Sequence, residues 1–118
     1  MIKIKRVYEK AEHDDGYRVL IDRLWPRGLS KKKLEMDEWL KEIAVSDELR
    51  KWFSHKPSRW EEFRKKYSAE LKGKDKLLNS LVAKAGKGNV TILYGAKDEL
   101  HNNAVVLKEL LDERIKRY

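Results

Sequence analysis

Two uninterrupted apolar runs, Val19-Leu20-Ile21 and Val90-Thr91-Ile92-Leu93-Tyr94, constrain this chain more than any other feature. Successive side chains of a strand point to opposite faces, so a strand with one wet face alternates apolar and polar residues. A run that does not alternate suits a strand covered on both faces, as in a parallel sheet between layers. Residues 18–24 and 90–94 are therefore expected as strands. Residues 2–8 begin by alternating apolar and basic side chains and are expected as a third, half-exposed strand.

The stretch between the second and third strands carries helical signals. Ser30 is expected to cap a helix bearing Leu34, Trp39, Leu40 and Ile43. Ser46, followed by Asp47 and Glu48, opens one bearing Leu49, Trp52 and Phe53. Ser58-Arg59-Trp60-Glu61 has the form of a capping box ahead of Trp60, Phe63, Tyr67 and Leu71, one apolar stripe. Asp75 is expected to cap a helix with Leu77, Leu78, Leu81, Val82 and Ala85, closed by Gly86. A last helix starts between Asp98 and Asn103 and turns Ala104, Leu107, Leu111 and Ile115 inward. This order predicts an α/β fold: a small, mostly parallel, three- or four-stranded sheet flanked by helices, one layer-packed domain over residues 1–118. A right-handed parallel crossover should join the second strand to the third. Residues 9–17 are few for a helical crossover, so a hairpin and a minimal crossover both fit the first connection.

Composition narrows the chemistry. With no cysteine there is no thiolate nucleophile, no disulfide and no thiolate metal site. His55 and His101 lack the paired spacing of metal ligands, and no Gly-rich phosphate loop or nucleophile elbow is present, so no cofactor or metal is expected. No apolar run reaches the roughly 18 residues of a membrane span. The charged start Met1-Ile2-Lys3-Ile4-Lys5 is unlike a signal peptide, and a cytoplasmic location is expected. The net charge is +8, from 28 Lys and Arg against 20 Asp and Glu. Solvated helix faces laced with ion pairs, as in heat-adapted proteins, account for such a composition, and Lys31-Lys32-Lys33 reads as a solvated loop. A basic surface also attracts nucleic acid non-specifically.

In open parallel sheets, ligands bind beyond the carboxyl ends of the strands. Two segments should reach that edge: Asp22 to Gly28 after the second strand, and Gly95 to Asn103 after the third. The first places Arg23, Trp25 and Arg27 around Pro26, and guanidinium forks match phosphate and carboxylate. The second adds Lys97, Asp98, His101 and Asn102 near a helix start, where free backbone N–H groups favour anions. Arg23, Trp25, Arg27, Lys97 and Asn102 are the candidate ligand-binding residues, and Asp22, Asp98 and His101 the candidate acids or bases. Each also has a plain structural reading: Asp22 and Arg23 as ion-pair partners, Trp25-Pro26 as a packing corner, Asp98, Asn102 or Asn103 as a helix cap.

The run Gly16-Tyr17-Arg18-Val19-Leu20-Ile21-Asp22-Arg23-Leu24-Trp25-Pro26-Arg27-Gly28-Leu29 resembles the hallmark of the YeaO-like branch of the family catalogued as domain of unknown function 488. Residues 46–55, 59–63 with 67–71, and 90–98 with Asn102, Ala104, Val106 and Leu107 fit the same branch in order. The resemblance implies a small cytoplasmic α/β domain and supplies no reaction. Other branches carry a cysteine motif after the last strand, where this chain has Tyr94-Gly95-Ala96-Lys97. This chain also has Val45 where the branch often has Pro, and Asn103 where it often has His. Three functions stay open: a domain that binds, or acts on, a small phosphate- or nucleotide-like anion; a basic protein associated with nucleic acid; and an interaction module without ligand. Positive charge gathered at the strand ends around acidic groups favours the first, and a broad positive face along helices the second.

Overall fold

A computed structural model describes residues 1–117. Four strands, β1 (Ile2–Arg6), β2 (Tyr17–Leu20), β3 (Glu38–Trp39) and β4 (Val90–Tyr94), form one all-parallel sheet in the order β1-β4-β2-β3. Five helices surround it: α1 (Lys31–Leu34), α2 (Asp47–Phe53), α3 (Trp60–Glu70), α4 (Asp75–Ala85) and α5 (Asn103–Lys116). The radius of gyration, 13.6 Å, agrees with the about 13.5 Å expected of a single domain this long.

β4 lies in the middle of the sheet, with Val90 level with Ile2 on one side and Tyr17 on the other. All five of its residues are buried, and they alternate between two cores. Val90, Ile92 and Tyr94 join Ile2, Val19 and Ile21 beneath Phe63, Tyr67, Leu78, Leu81, Leu107 and Leu111 of the helices. Leu93 joins Val7, Leu20 and Leu34 on the other face, with Trp25, Leu29, Met36 and Trp39 packed around them. Both apolar runs are thus covered on both faces, and each fully buried aliphatic side chain contributes about 1.5–3 kcal/mol.

Because β1 and β2 flank β4 and both run parallel to it, they are parallel to each other without touching. The first connection is therefore a minimal crossover, made through one 3-10 turn, His13–Asp15, and not a hairpin. Asp15 holds it there. The side chain is fully buried and accepts from Lys5 of β1 at 3.1 Å, Arg18 of β2 at 2.6 Å and the Glu12 amide at 3.0 Å. Its carbonyl accepts from the Thr91 hydroxyl of β4 at 2.7 Å. Gly16 follows with φ +67°, where a Cβ would lie 2.1 Å from the Asn89 carbonyl oxygen. The tight entry to β2 needs glycine on both counts.

Several boundaries differ from the sequence expectations. β2 stops at Leu20 rather than residue 24: the Ile21 amide still reaches the Leu93 carbonyl, but the next donor on β4's side, the Gly95 amide, is taken by the Asp22 carboxylate. The helix capped by Ser30 ends at Leu34, because Glu35 turns left-handed and Arg18 takes the Leu34 and Glu35 carbonyls. Trp39, expected on that helix, lies in the two-residue strand β3, paired with Leu20. Ser58 lies in a 3-10 turn opened by Pro57, so no capping box forms at α3. Asp75 is the first helical residue of α4 and Lys74 the cap, while Ile115 is half-exposed where α5 runs past the core. Ser30, Ser46 and Asn102 do cap α1, α2 and α5. Among the described residues, no helix is long and apolar enough to cross a membrane.

Burial opposes ionisation of Asp15, but the Glu12 amide and the Lys5 and Arg18 cations outweigh it and hold the carboxyl below its ordinary pKa. A depressed folded-state pKa gives stability that is present above the unfolded value and lost as pH falls through the folded one. Asp15→Asn leaves a buried guanidinium without its counter-charge and should lower stability by about 3 kcal/mol or more in urea titrations at pH 7. The gap to wild type should shrink in acid as the wild-type carboxyl protonates. A pH-independent gap would contradict this role.

Candidate functional site

Beyond the carboxyl ends of β2 and β4, a cavity of about 290 Å³ opens between the loop after β2, the loop before α5 and the end of α2. Asp22 lines it and ties the two strand ends together. One carboxylate oxygen accepts from the Gly95 amide at 2.7 Å and the other from the Asn103 side-chain amide at 3.0 Å. Gly95 permits that approach, since a Cβ there would sit 3.0 Å from the Asp22 oxygen. The backbone carbonyl of Asp22 accepts from the Trp39 indole at 2.7 Å. Both side-chain partners are neutral, and burial pushes the Asp22 carboxyl above its ordinary pKa despite them. A carboxylate ionised in such a place is an exposed demand for a hydrogen-bond donor.

The alternative reading of Asp22 and Arg23 as ion-pair partners is not realised between the two. The Arg23 guanidinium instead points a long bond, 3.4 Å, at the carbonyl of Val45. Arg23 is exposed and lines the cavity together with Arg50 and His55, both also exposed. Arg50 keeps only a loose contact with Asp47, 3.4 Å. His55 follows Ser54, and both are left-handed, at φ 55° and 46°. Non-glycine residues seldom hold that conformation, and here it brings the end of α2 to the cavity. The walls are apolar and flat: Leu24, Trp25, Pro26, Val45, Phe53 and Phe63, the two phenyl rings stacked at 4.4 Å.

His101 also lines the cavity. Its Nδ1 lies 2.9 Å from Asp98 and its ring meets the edge of Trp60 with centroids 5.2 Å apart. Asp98 accepts from the Leu100 amide, the His101 ring and the His101 amide, and its carboxyl is held below its ordinary pKa. An ionised Asp98 only accepts, so Nδ1 carries the proton of their hydrogen bond and Nε2 is the ring nitrogen left to other partners.

The structure divides the sequence candidates. Asp22, Arg23, Trp25, His101 and Asn102 line the cavity, whereas Arg27, Lys97 and Asp98 do not. The expected convergence of Arg23, Arg27 and Lys97 is therefore corrected. Arg27 and Lys97 are exposed, and the Arg27 carbonyl is engaged by the Tyr8 hydroxyl at 3.0 Å. Asp98 meets the cavity's lining only by its contact with the His101 ring. Asn102 is spent on structure, accepting from the Val105 amide and donating to the Asp98 carbonyl. Trp25 donates its indole N–H to Leu29 at 2.6 Å and offers the cavity its ring. Sequence reasoning did not bring Arg50, Phe53, His55 or Phe63 to this cavity. They come from helices remote in the chain, and only the cap Ser46 and the helical spacing after it hinted at α2. Among the described residues, Glu12, Asp14 and Asp15 alone approach as metal ligands do, and Lys3, Lys5 and Arg18 occupy them.

Asp22 in the cavity and Asp98 behind His101 should titrate on opposite sides of an ordinary aspartate. Carboxyl-carbon NMR should place Asp22 above it and Asp98 below it. A raised folded-state pKa means that Asp22 costs stability at neutral pH and gives it back as pH falls through that value, while Asp98 behaves in the opposite sense. Asp22 titrating at or below Asp98 would contradict this assignment.

The comparisons with known proteins converge. Uncharacterized protein YeaO of Escherichia coli strain K12 is 47% identical over 110 residues, covering 93% of this chain and 96% of its own. Uncharacterized protein Rv3073c of Mycobacterium tuberculosis strain H37Rv is 38% identical over 113 residues, covering 96% and 95%. No solved structure matches the chain. The family model DUF488-N3i, described as the inactive DUF488-N3 subclade, matches residues 1–118, and the chain belongs to that family.

Proposed function

We propose that this protein binds a small organic anion in the cavity at the ends of β2 and β4. The observation that carries the reading is the gathering of Arg23, Arg50 and His55 around one apolar cavity. The anionic group belongs at the exposed arginine rim and not beside Asp22, where like charges would meet. About 290 Å³ is at the lower end of the usual range for ligand sites, roughly 300–1,000 Å³, which suits one ring system with one phosphate-sized group. Binding is favoured over turnover by three considerations. The matched model is described as inactive. The residues lining the cavity, among those described, include no serine, threonine, cysteine or lysine. Asn103, where the branch often has His, gives Asp22 a neutral donor that does not exchange protons near pH 7. Should the site move a proton, Asp22 and the Asp98–His101 pair are the groups able to do it.

The nucleic-acid reading gains less support. Some cations outside the cavity already face acids, as in Arg64–Glu109, Lys66–Glu62, Lys108–Asp112 and Arg114–Asp75. These pairs suit the solvated, ion-laced surface that the composition suggested.

Thermal melts with ribose 5-phosphate against chloride at matched ionic strength test the proposal. At ten times its Kd such a ligand contributes about 1.4 kcal/mol, a rise in Tm of roughly 5 °C. Arg50→Ala and Arg23→Ala should abolish most of the rise while remaining folded, and Arg27→Ala should keep it. A rise retained in Arg50→Ala but lost in Arg27→Ala, or no rise in the wild type, contradicts the proposal.

A further inference from the structure

The Asp22 carboxylate is half used. An ionised carboxylate offers about four acceptor positions, and the protein fills one on each oxygen, from Gly95 and from Asn103. The cavity lies on the same side chain. For a ligand seated there the group is flat and fixed by the ends of two strands, and each of its two oxygens keeps an acceptor position that the protein does not fill. The complementary surface is a pair of parallel N–H donors, the arrangement that makes bidentate pairing with carboxylate strong.

Other features of the cavity restrict what carries those donors. Trp25, Phe53 and Phe63 supply flat apolar walls, which favour a planar ring over a flexible chain. A free guanidinium would satisfy Asp22 but leave the aromatic walls and the arginine rim without partners. Among the common nucleobases, guanine presents two adjacent donors, its ring N–H and its exocyclic amine, on one edge. Hypoxanthine keeps the ring N–H and lacks the amine. Adenine and cytosine place an acceptor beside theirs, which would face the carboxylate with like partial charge.

We infer that the cavity recognises a guanine-type base, its two adjacent N–H donors paired to the Asp22 carboxylate, its ring among Trp25, Phe53 and Phe63, and its phosphate at Arg23 and Arg50. The inference rests on the anion-binding reading above and names the ligand class of that site. Gly95 and Asn103 act as positioning residues: they fix the carboxylate's rotation and leave its remaining acceptor positions for the ligand.

Isothermal titration of the protein with guanosine monophosphate, inosine monophosphate and ribose 5-phosphate tests the base and the anion separately. One hydrogen bond to a charged acceptor separates the two nucleotides, so guanosine monophosphate should bind about ten- to a hundredfold tighter. Asp22→Asn retains the shape of the side chain and an oxygen for the Gly95 amide, and should bring the two nucleotides within about twofold. If wild type binds all three compounds equally, the arginine rim stands and the guanine assignment falls. If it binds none of them, both fall. A guanosine preference that survives intact in Asp22→Asn also overturns the assignment, because the discrimination then comes from elsewhere.

Discussion

By lying between β1 and β2, β4 forces the chain to carry its first connection across the sheet with only one 3-10 turn, and Asp15 makes that arrangement hold. Its carboxylate meets Lys5 on the first strand and Arg18 on the second, and its carbonyl meets Thr91 on the strand between. A buried carboxylate with fewer partners would protonate or unfold its surroundings; this one is matched on every side. Arg18 extends the network by holding the end of α1 through the Leu34 and Glu35 carbonyls. The segment from Trp25 to Trp39 covers the second face of the sheet beyond it. Sheet order, short crossover and second core therefore share one ionic centre.

The same topology generates the cavity. Once β2 and β4 are neighbours, the loops leaving them must separate, one toward the Trp25-Pro26 corner and the other toward α5. Two aspartates, Asp15 fully buried and Asp22 half-buried, then play opposite parts at opposite ends of β2. Asp15 has cations around it and contributes stability. Asp22 has only neutral donors, the Gly95 backbone amide and the Asn103 side chain, so its charge is held at a cost to the fold. Functional sites are where proteins retain such costs, because an apolar or fully paired substitute would be more stable and less able to bind.

How much of this was legible in the sequence follows from the range of the interactions. The unbroken runs at Val19–Ile21 and Val90–Tyr94 announced doubly covered strands, and the Ser30 and Ser46 helix starts were readable because capping acts over three residues, while the cap of α5 was narrowed only to Asp98, Asn102 or Asn103. The early end of α1 was not, since it depends on Arg18 reaching across from another element. Nor was β3, whose two residues count as a strand only because Leu20 lies beside Trp39. At the candidate site, the general rule for parallel sheets pointed to the segment after β2, and Asp22, Arg23 and Trp25 of that segment do line one cavity. The same rule overreached for Arg27 and Lys97: it places backbones at an edge and says nothing about where long side chains go. Arg50 and His55 enter through the packing of α2, and no local pattern encodes that.

The claim that one cavity, and not a diffuse basic surface, is the binding region is tested most directly by mapping backbone amide shifts during titration with guanosine monophosphate. The account predicts saturable shifts at Gly95 and Asn103, whose donors hold Asp22, at Arg23 to Trp25, and at Arg50 to His55, with Lys31 to Lys33 unmoved. Shifts spread along the lysine-rich helix faces and abolished by moderate salt, with Gly95 and Asn103 silent, would contradict it.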